Sequence, residues 1–342
     1  MICHDGCQAA AATANLLRYA SLVDLLRSSA CSHEWLAAAT AEQLWMHHRL
    51  GLSSRGDEDV RDLSRAALRS VTSRWLCFML SSGSPVFPPP CTKSTLHVQE
   101  RRLLKHTLRV LQLNPDALRK GDRGMPWADR NAIVGLRVWI SCPLMCWYFA
   151  RRPETLRDRR VCCLGEGVGL LGISLMQHAP SYTLLTDGSD LCTSLMTANI
   201  ALNGLRASFD VSEHTFGGPA AQGLLHSEKV GNKAFDVITA SDVVYGRTLP
   251  AVDALFESVD VLLAHTPGAA FYHGYTERIP ELTSALLESA EQHGFQCEQL
   301  PLWEDGLPDL HAFLLPGERR AVEQKPSATF MHRFTRRQSE EK

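Results

Sequence analysis

The sequence predicts an α/β fold, a doubly wound, seven-stranded sheet preceded by an N-terminal helical region. Three observations carry that expectation. From about residue 134 onward, short apolar runs alternate with amphipathic stretches at helical spacing, the pattern of a parallel sheet covered by helices on both faces. The first run opens VCCLGEGVGLLGISLM at 161–176, where Gly165, Gly167 and Gly169 stand between a strand-like and a helix-like segment. The second run closes on Asp187 in LLTDG at 184–188.

Taken in chain order, residues 8–82 carry helical spacing: Leu22, Leu25 and Leu26, then Leu63, Ala67, Leu68, Val71 and Trp75, recur at three- and four-residue steps. The segment SSGSPVFPPPCTKS at 81–94 breaks that pattern, because adjacent prolines remove amide donors and hold the chain extended. Residues 1–95 therefore read as a helical accessory region. A further helix is expected over 96–112, followed by the loop KGDRGMPWADR at 120–130, so that 96–133 forms a helix and a connection. The main domain spans 134–336. Its strands are expected at 161–164, 182–186, 207–212, 235–240, 268–274, 295–301 and 328–335, with helices at 169–178, 190–203, 248–264 and 278–293.

Composition narrows the function classes. The 342 residues carry a net charge of −2, without the basic field of phosphate-neutralising proteins, so nucleic acid is not an expected partner. No apolar run approaches the roughly 20 residues that cross a bilayer, and Pro143 interrupts ISCPLMCWYFA, so no membrane association is expected. The start MICHDGCQAA lacks a basic segment followed by an apolar one, and the eleven cysteines include no CxxC pair; both features point to a reducing, cytoplasmic setting. Cys3/Cys7 and Cys142/Cys146 are each four apart but have no second pair nearby, and His33-Glu34 is followed by Ala37 where a second zinc ligand would stand. No metal is expected.

The glycine turn and the aspartate point to a nucleotide cofactor. A Cβ at Gly165 or Gly167 would collide with a bound ligand or with the turn, and the next helix offers backbone amides at its N-terminus. Asp187, at a strand end, is placed to accept hydrogen bonds from ribose hydroxyls, whether of NAD or of S-adenosylmethionine. The dinucleotide pattern Gly167-x-Gly169-x-x-Gly172 begins two residues late for a turn directly after 161–164, and no hydride-transfer acid–base pair follows it.

Wider context adds a family. Val138-Trp139 before a helix, VCCLGEGVGLLG, Thr186-Asp187, Asn199 and Asn203, Phe216-Gly217 and FDVITASDVVYG resemble, in order and spacing, the seven-β-strand S-adenosylmethionine-dependent methyltransferases, in the branch that methylates lysines of non-histone proteins. The resemblance covers about 134–300 and implies a Rossmann-like methyltransferase sheet. It also implies that Trp139, Gly165, Glu166, Gly167, Gly169, Asp187, Phe216 and Ser241 line the cofactor, with Phe216 replacing a tryptophan against the adenine. Two positions depart from the pattern: Cys163 replaces an acid of the first strand, and Glu166 replaces a small residue between the glycines.

The segment Ser241-Asp242-Val243-Val244-Tyr245 follows the fourth strand, where the methyl acceptor enters. Enzymes that methylate the amino groups of bases carry two prolines here; Val243 and Val244 replace them, which favours a protein amine. Asp242 is expected to accept a hydrogen bond from that amine and Tyr245 to wall the cation, as the catalytic pair. Tyr275, Glu277 and Arg278 are candidates for the acceptor entrance. The family resemblance implies a protein substrate, with elongation factors and calmodulin as the nearest examples. The alternatives are a non-catalytic partner module of the same fold and an NAD-dependent dehydrogenase.

Overall fold

The computed structural model describes residues 96–113, 134–205, 207–245, 250–279, 281–301, 307–324 and 329–337. The expected N-terminal helices and the 120–130 loop lie outside the described residues. Residues 96–112 are not a helix. They form a β-hairpin of β1 (Leu96–Leu103) and β2 (His106–Leu113), paired antiparallel with Leu103 opposite His106. Its leucines fit a helical stripe, but the burial alternates with period two around the turn, where Arg101, Leu103, Leu108 and Val110 are buried while Arg102 and Thr107 are exposed; towards the end of β2 both faces are covered, with Leu111 and Gln112 buried as well. A two-residue turn, Leu104-Lys105, closes it, with Leu104 in the left-handed region at φ 51°.

All seven expected strands are present, each within two residues of its expected bounds: β3 (Arg160–Leu164), β4 (Tyr182–Asp187), β5 (Phe209–Glu213), β6 (Val237–Ser241), β7 (Ala270–Thr276), β8 (Phe295–Leu300) and β9 (Thr329–Arg336). They lie in the order β5-β4-β3-β6-β7-β9-β8. The sheet is mixed rather than wholly parallel. β3 to β7 are parallel, while β9 returns between β7 and β8 and pairs antiparallel with both.

Helices cover both faces. One core layer joins α1 (Ser141–Ala150), α2 (Leu170–Met176) and α3 (Asp190–Leu202) to the hairpin. The other joins α4 (Gly218–Leu225), α5 (Ala251–Leu262) and α6 (Glu281–Gln292). Every residue of α1 is buried, which is why its sequence shows no amphipathic stripe, and Pro143 is tolerated because it falls in the first turn. Two short helices, α7 (Leu307–Phe313) and α8 (Pro316–Gln324), complete the C-terminal part. α8 holds the hairpin: the Arg101 guanidinium donates to both Glu318 carboxylate oxygens at 2.7 and 2.6 Å.

β3 has β4 on one side and β6 on the other, so the strand order reverses across it. At such a reversal the loops beyond the strand ends part and leave a crevice.

Candidate active site

A cavity of about 290 Å³ occupies that crevice. Its wall comes from four strand ends: Gly165–Val168 after β3, Asp187 and Gly188 at β4, His214–Phe216 after β5, and Ser241–Val243 with Tyr245 after β6. Val134, Gly135, Arg137–Trp139 and Cys142 complete it. Trp139, Gly165, Glu166, Gly167, Asp187, Phe216, Ser241, Asp242 and Tyr245 are thereby brought together, as the sequence places them. Gly169 is not among the lining residues. At φ 88° it caps α2, and a Cβ there would meet Met196 of α3 at 3.1 Å, so its need for glycine comes from packing.

The glycine turn is fixed by its neighbours. Gly165 and Gly167 have φ of 62° and 61°, a region that side-chain-bearing residues rarely adopt. A Cβ at Gly167 would fall 2.5 Å from the Gly135 carbonyl oxygen, and one at Gly165 2.6 Å from Val243 Cγ1. Asp187 ties this turn to the next: Oδ2 accepts from Gly167 N at 2.9 Å and Oδ1 from Ser189 N at 3.0 Å. The Cys192 thiol also bonds this carboxylate, which leaves one of its roughly four acceptor sites for a ligand. Burial pushes the Asp187 carboxyl up, and these backbone donors oppose the shift.

Glu166 points into the loop as well as lining the cavity. Its Oε1 accepts from Gly172 N at 2.6 Å and so satisfies an amide of the first turn of α2. That amide, expected to face a ligand, is engaged within the chain. The strand has no carboxylate at Cys163, and the one carried by the loop at Glu166 is bonded to the start of α2. Cys163 is wholly buried, with burial as the main cause of its raised pKa. Burial, with Asp187 adding repulsion, pushes Glu166 up to about 8, while the Gly172 amide opposes the shift.

Sequence reasoning missed His214, Thr215, Arg137 and Gly135. His214 is buried, its Nε2 has no partner, and burial pushes its pKa down to about 4, so a neutral ring nitrogen is left for a ligand to satisfy. An orphaned histidine after β5 has no signature in the sequence beyond its place two residues before Phe216. Gly135 carries a steric reason, since a Cβ there would meet Cys192 Sγ at 2.7 Å.

At the β6 end, Asp242 has φ 52° and a buried carboxylate. Oδ2 accepts from Ser141 Oγ at 2.7 Å and Ser141 N at 3.3 Å; Oδ1 accepts from Thr276 N and from Arg278 Nη1, both at 3.0 Å. It therefore sits at the N-terminus of α1, a favourable position for a carboxylate against the helix dipole. Ser241 Oγ lies 2.8 Å from Ser141 Oγ. Trp139 donates Nε1 to Val134 O at 3.0 Å, with Arg137 stacked 3.6 Å and Arg278 4.9 Å from the ring centre. Tyr245 is half-buried, and burial raises its phenol. Tyr275 is buried and bonded to Thr283, away from the cavity. Glu277 accepts from Thr283 at 2.5 Å. Among the described residues no group of three or more His, Cys, Asp or Glu is arranged to hold a metal ion. No described helix is long and apolar enough to cross a membrane.

These residues fit S-adenosylmethionine. Gly165 and Gly167 present bare backbone to the cavity, Asp187 supplies an acceptor site, His214 Nε2 is an unsatisfied polar atom, and Phe216 offers a ring.

Comparison with known proteins agrees. Residues 126–293 match the family described as "Lysine methyltransferase". The chain is 23% identical over 188 residues to protein N-terminal and lysine N-methyltransferase efm7 of Schizosaccharomyces pombe, covering 51% of this chain and 73% of that protein. It is 23% identical over 186 residues to protein-lysine N-methyltransferase EEF2KMT of Mus musculus, covering 50% of this chain and about half, 53%, of that protein. Among solved structures, the magnesium protoporphyrin IX methyltransferase of Synechocystis with bound SAH is similar at 12% identity and a TM-score of 0.38, over 64% of this chain and 90% of that one. Residues 126–293 thus belong with the lysine methyltransferase family, within the fold of the S-adenosylmethionine-dependent methyltransferases.

Proposed function

We propose that the protein transfers a methyl group to the side-chain amine of a lysine in a non-histone protein, in the cytoplasm, with an elongation factor or calmodulin as the substrate to try first. The observation that carries this reading is the junction of two half-sites in one cavity: Asp187 with the glycine turn on one side, and Asp242, Tyr245 and Trp139 on the other. Of the alternatives, the intact Asp187 and acceptor segment weigh against a non-catalytic module. The six described cysteines are free thiols, in keeping with a reducing compartment.

In this reading Asp187, Gly165, Gly167, Phe216, His214 and Ser241 hold the cofactor, and Trp139 closes the cavity. When bound, S-adenosylmethionine supplies an electrophilic methyl group on a sulfonium that leaves as a neutral thioether. The chain has to orient the amine and keep it dry, because the lone pair must be free and aligned. Asp242 anchors the acceptor amine by hydrogen bonding, and the Tyr245 ring walls it. The lysine enters as the ammonium and gives its proton to solvent once it is seated, before the transfer, so the amine meets the methyl group uncharged.

The test is calorimetric binding of S-adenosylhomocysteine against NAD, followed by labelling of a cell lysate with tritiated cofactor and mass spectrometry of the labelled band. Binding of the adenosyl ligand and label on a lysine are the expected results. Label on a nucleic acid, a small molecule or a protein N-terminus would overturn the substrate assignment. Asp187→Ala should weaken S-adenosylhomocysteine binding by about 1–3 kcal/mol, the cost of losing a hydrogen bond to a charged group. An unchanged Kd would remove Asp187 from the cofactor site.

A further inference from the structure

Arg278 stands at the acceptor side of the cavity without being one of its lining residues. Its Nη1 lies 3.0 Å from Asp242 Oδ1, and the two side chains are 35% and 1% exposed. The guanidinium therefore stands between solvent and a buried carboxylate. The same guanidinium carbon is 4.9 Å from the centre of the Trp139 ring. A cation held by a carboxylate and the face of an indole is the arrangement that binds an alkylammonium.

The four donors on Asp242 are not equivalent. Ser141 N and Oγ belong to the start of α1, and Thr276 N to the end of β7; both elements are packed in the core and cannot withdraw. Arg278 reaches Oδ1 from a long, partly exposed side chain beyond the end of β7. It is the donor that can rotate away at the least cost in packing.

We propose that Arg278 occupies the seat of the acceptor's cationic side chain, an internal stand-in that the incoming lysine displaces from Asp242 and Trp139. The inference rests on the amine-methylating reading for the identity of the acceptor. The alternative is an ion pair whose only role is to neutralise Asp242 and hold its left-handed backbone. The two differ in one respect: a seat refills with a free alkylammonium once Arg278 is removed, whereas a structural pair does not.

The experiment compares the full-length wild type with Arg278→Ala, using n-butylammonium chloride as the probe and n-butanol as its uncharged control. Binding is read by thermal unfolding and by saturation-transfer NMR. Expected for the variant are a lower starting midpoint, a saturable rise with n-butylammonium and a transfer signal, none of them produced by n-butanol. The wild type should need at least roughly tenfold more n-butylammonium for the same rise, since its seat is filled. Equal responses in the two proteins, or no response in the variant, overturn the proposal. If Arg278→Ala does not fold, Arg278→Gln, which keeps a donor for Asp242 without the charge, is judged by the same outcomes.

A second arm measures methyl transfer to the labelled protein. The variant should show a several-fold lower KM for the acceptor at unchanged S-adenosylhomocysteine affinity; an unchanged or higher KM counts against the seat. n-Butylammonium uptake without any methyl transfer supports the seat and overturns the methyl-transfer reading. Transfer to lysine by a variant that takes up no n-butylammonium overturns the seat alone.

Discussion

Glu166 shows how a single side chain changes its meaning between sequence and structure. In the sequence it is an intrusion between two cofactor glycines; in the structure it is the internal partner of Gly172 N. A carboxylate held up to about 8 keeps its proton in the native state over a range where the unfolded chain has lost it. The unfolded side chain titrates near 4.3. Its contribution to stability is thus fully present below that value and is lost as pH rises through about 8, at up to about 1.4 kcal/mol per pH unit. Glu166→Gln should flatten this decline in chemical denaturation between pH 5 and 8 and leave S-adenosylhomocysteine binding close to that of the wild type at pH 7. A steep decline that persists in the variant would assign the pH dependence to another group.

Among the elements, α4, α7 and α8 were not expected from the sequence, and the hairpin was expected as the wrong type. Leucines at 103, 108 and 111 suit either a helix or a strand, and what decides is a partner far along the chain. That partner is α3. Asn199 Oδ1 accepts from Leu111 N at 2.7 Å, and its Nδ2 donates to Leu111 O at 3.0 Å and to Val168 O at 2.8 Å. Asn203, one turn on, does the same for Arg109 N and O at 2.8 and 2.6 Å. Two asparagines on a helix thus complete the edge of β2 as a neighbouring strand would. Asn199→Ala leaves three buried backbone groups without partners and should cost about 3 kcal/mol or more in stability, each such group costing about 1–3. Urea denaturation measures it, and a loss below about 1 kcal/mol would show that water replaces the amide. The central strands, by contrast, were legible, because β3, β4, β6 and β7 are buried on both faces and read as continuous apolar runs. The site was legible where backbone geometry forces a residue type, as at Gly165 and Gly167. It was not legible where a contact depends on distant segments meeting, as with His214, Arg137 and the bonds of Asp242.

Over the molecule as a whole, acid sensitivity follows from histidines buried in the neutral form. His273 on β7 faces His332 on β9 across the antiparallel pair, both are buried, and neither His273 nitrogen has a partner. Burial, with His332 adding repulsion, pushes His273 down to about 3. The unfolded imidazole titrates near 6.5, so this stability is present above that pH and is lost as pH falls towards about 3, at up to about 1.4 kcal/mol per unit. His178 and His214, each pushed down to about 4 chiefly by burial, add to the same loss. His273→Met should make the decline of stability between pH 6.5 and 4 shallower than in the wild type, and identical slopes would exclude His273 as a source. The limits of the catalytic unit belong to this level too. With Arg101 bonded to α8 and β2 bonded to α3, residues 96–113 pack as part of the same unit as the sheet.

The triple bond set of Asn199 also has a kinetic side. One amide group bonds the hairpin through Leu111 and the glycine turn through Val168, so opening either segment loosens the side chain that holds the other. Their backbone amides should then exchange with heavy water as a single cooperative unit with a shared opening free energy. A ligand that closes the glycine turn would slow exchange in β2, about ninety residues before Asn203, at amides it never touches.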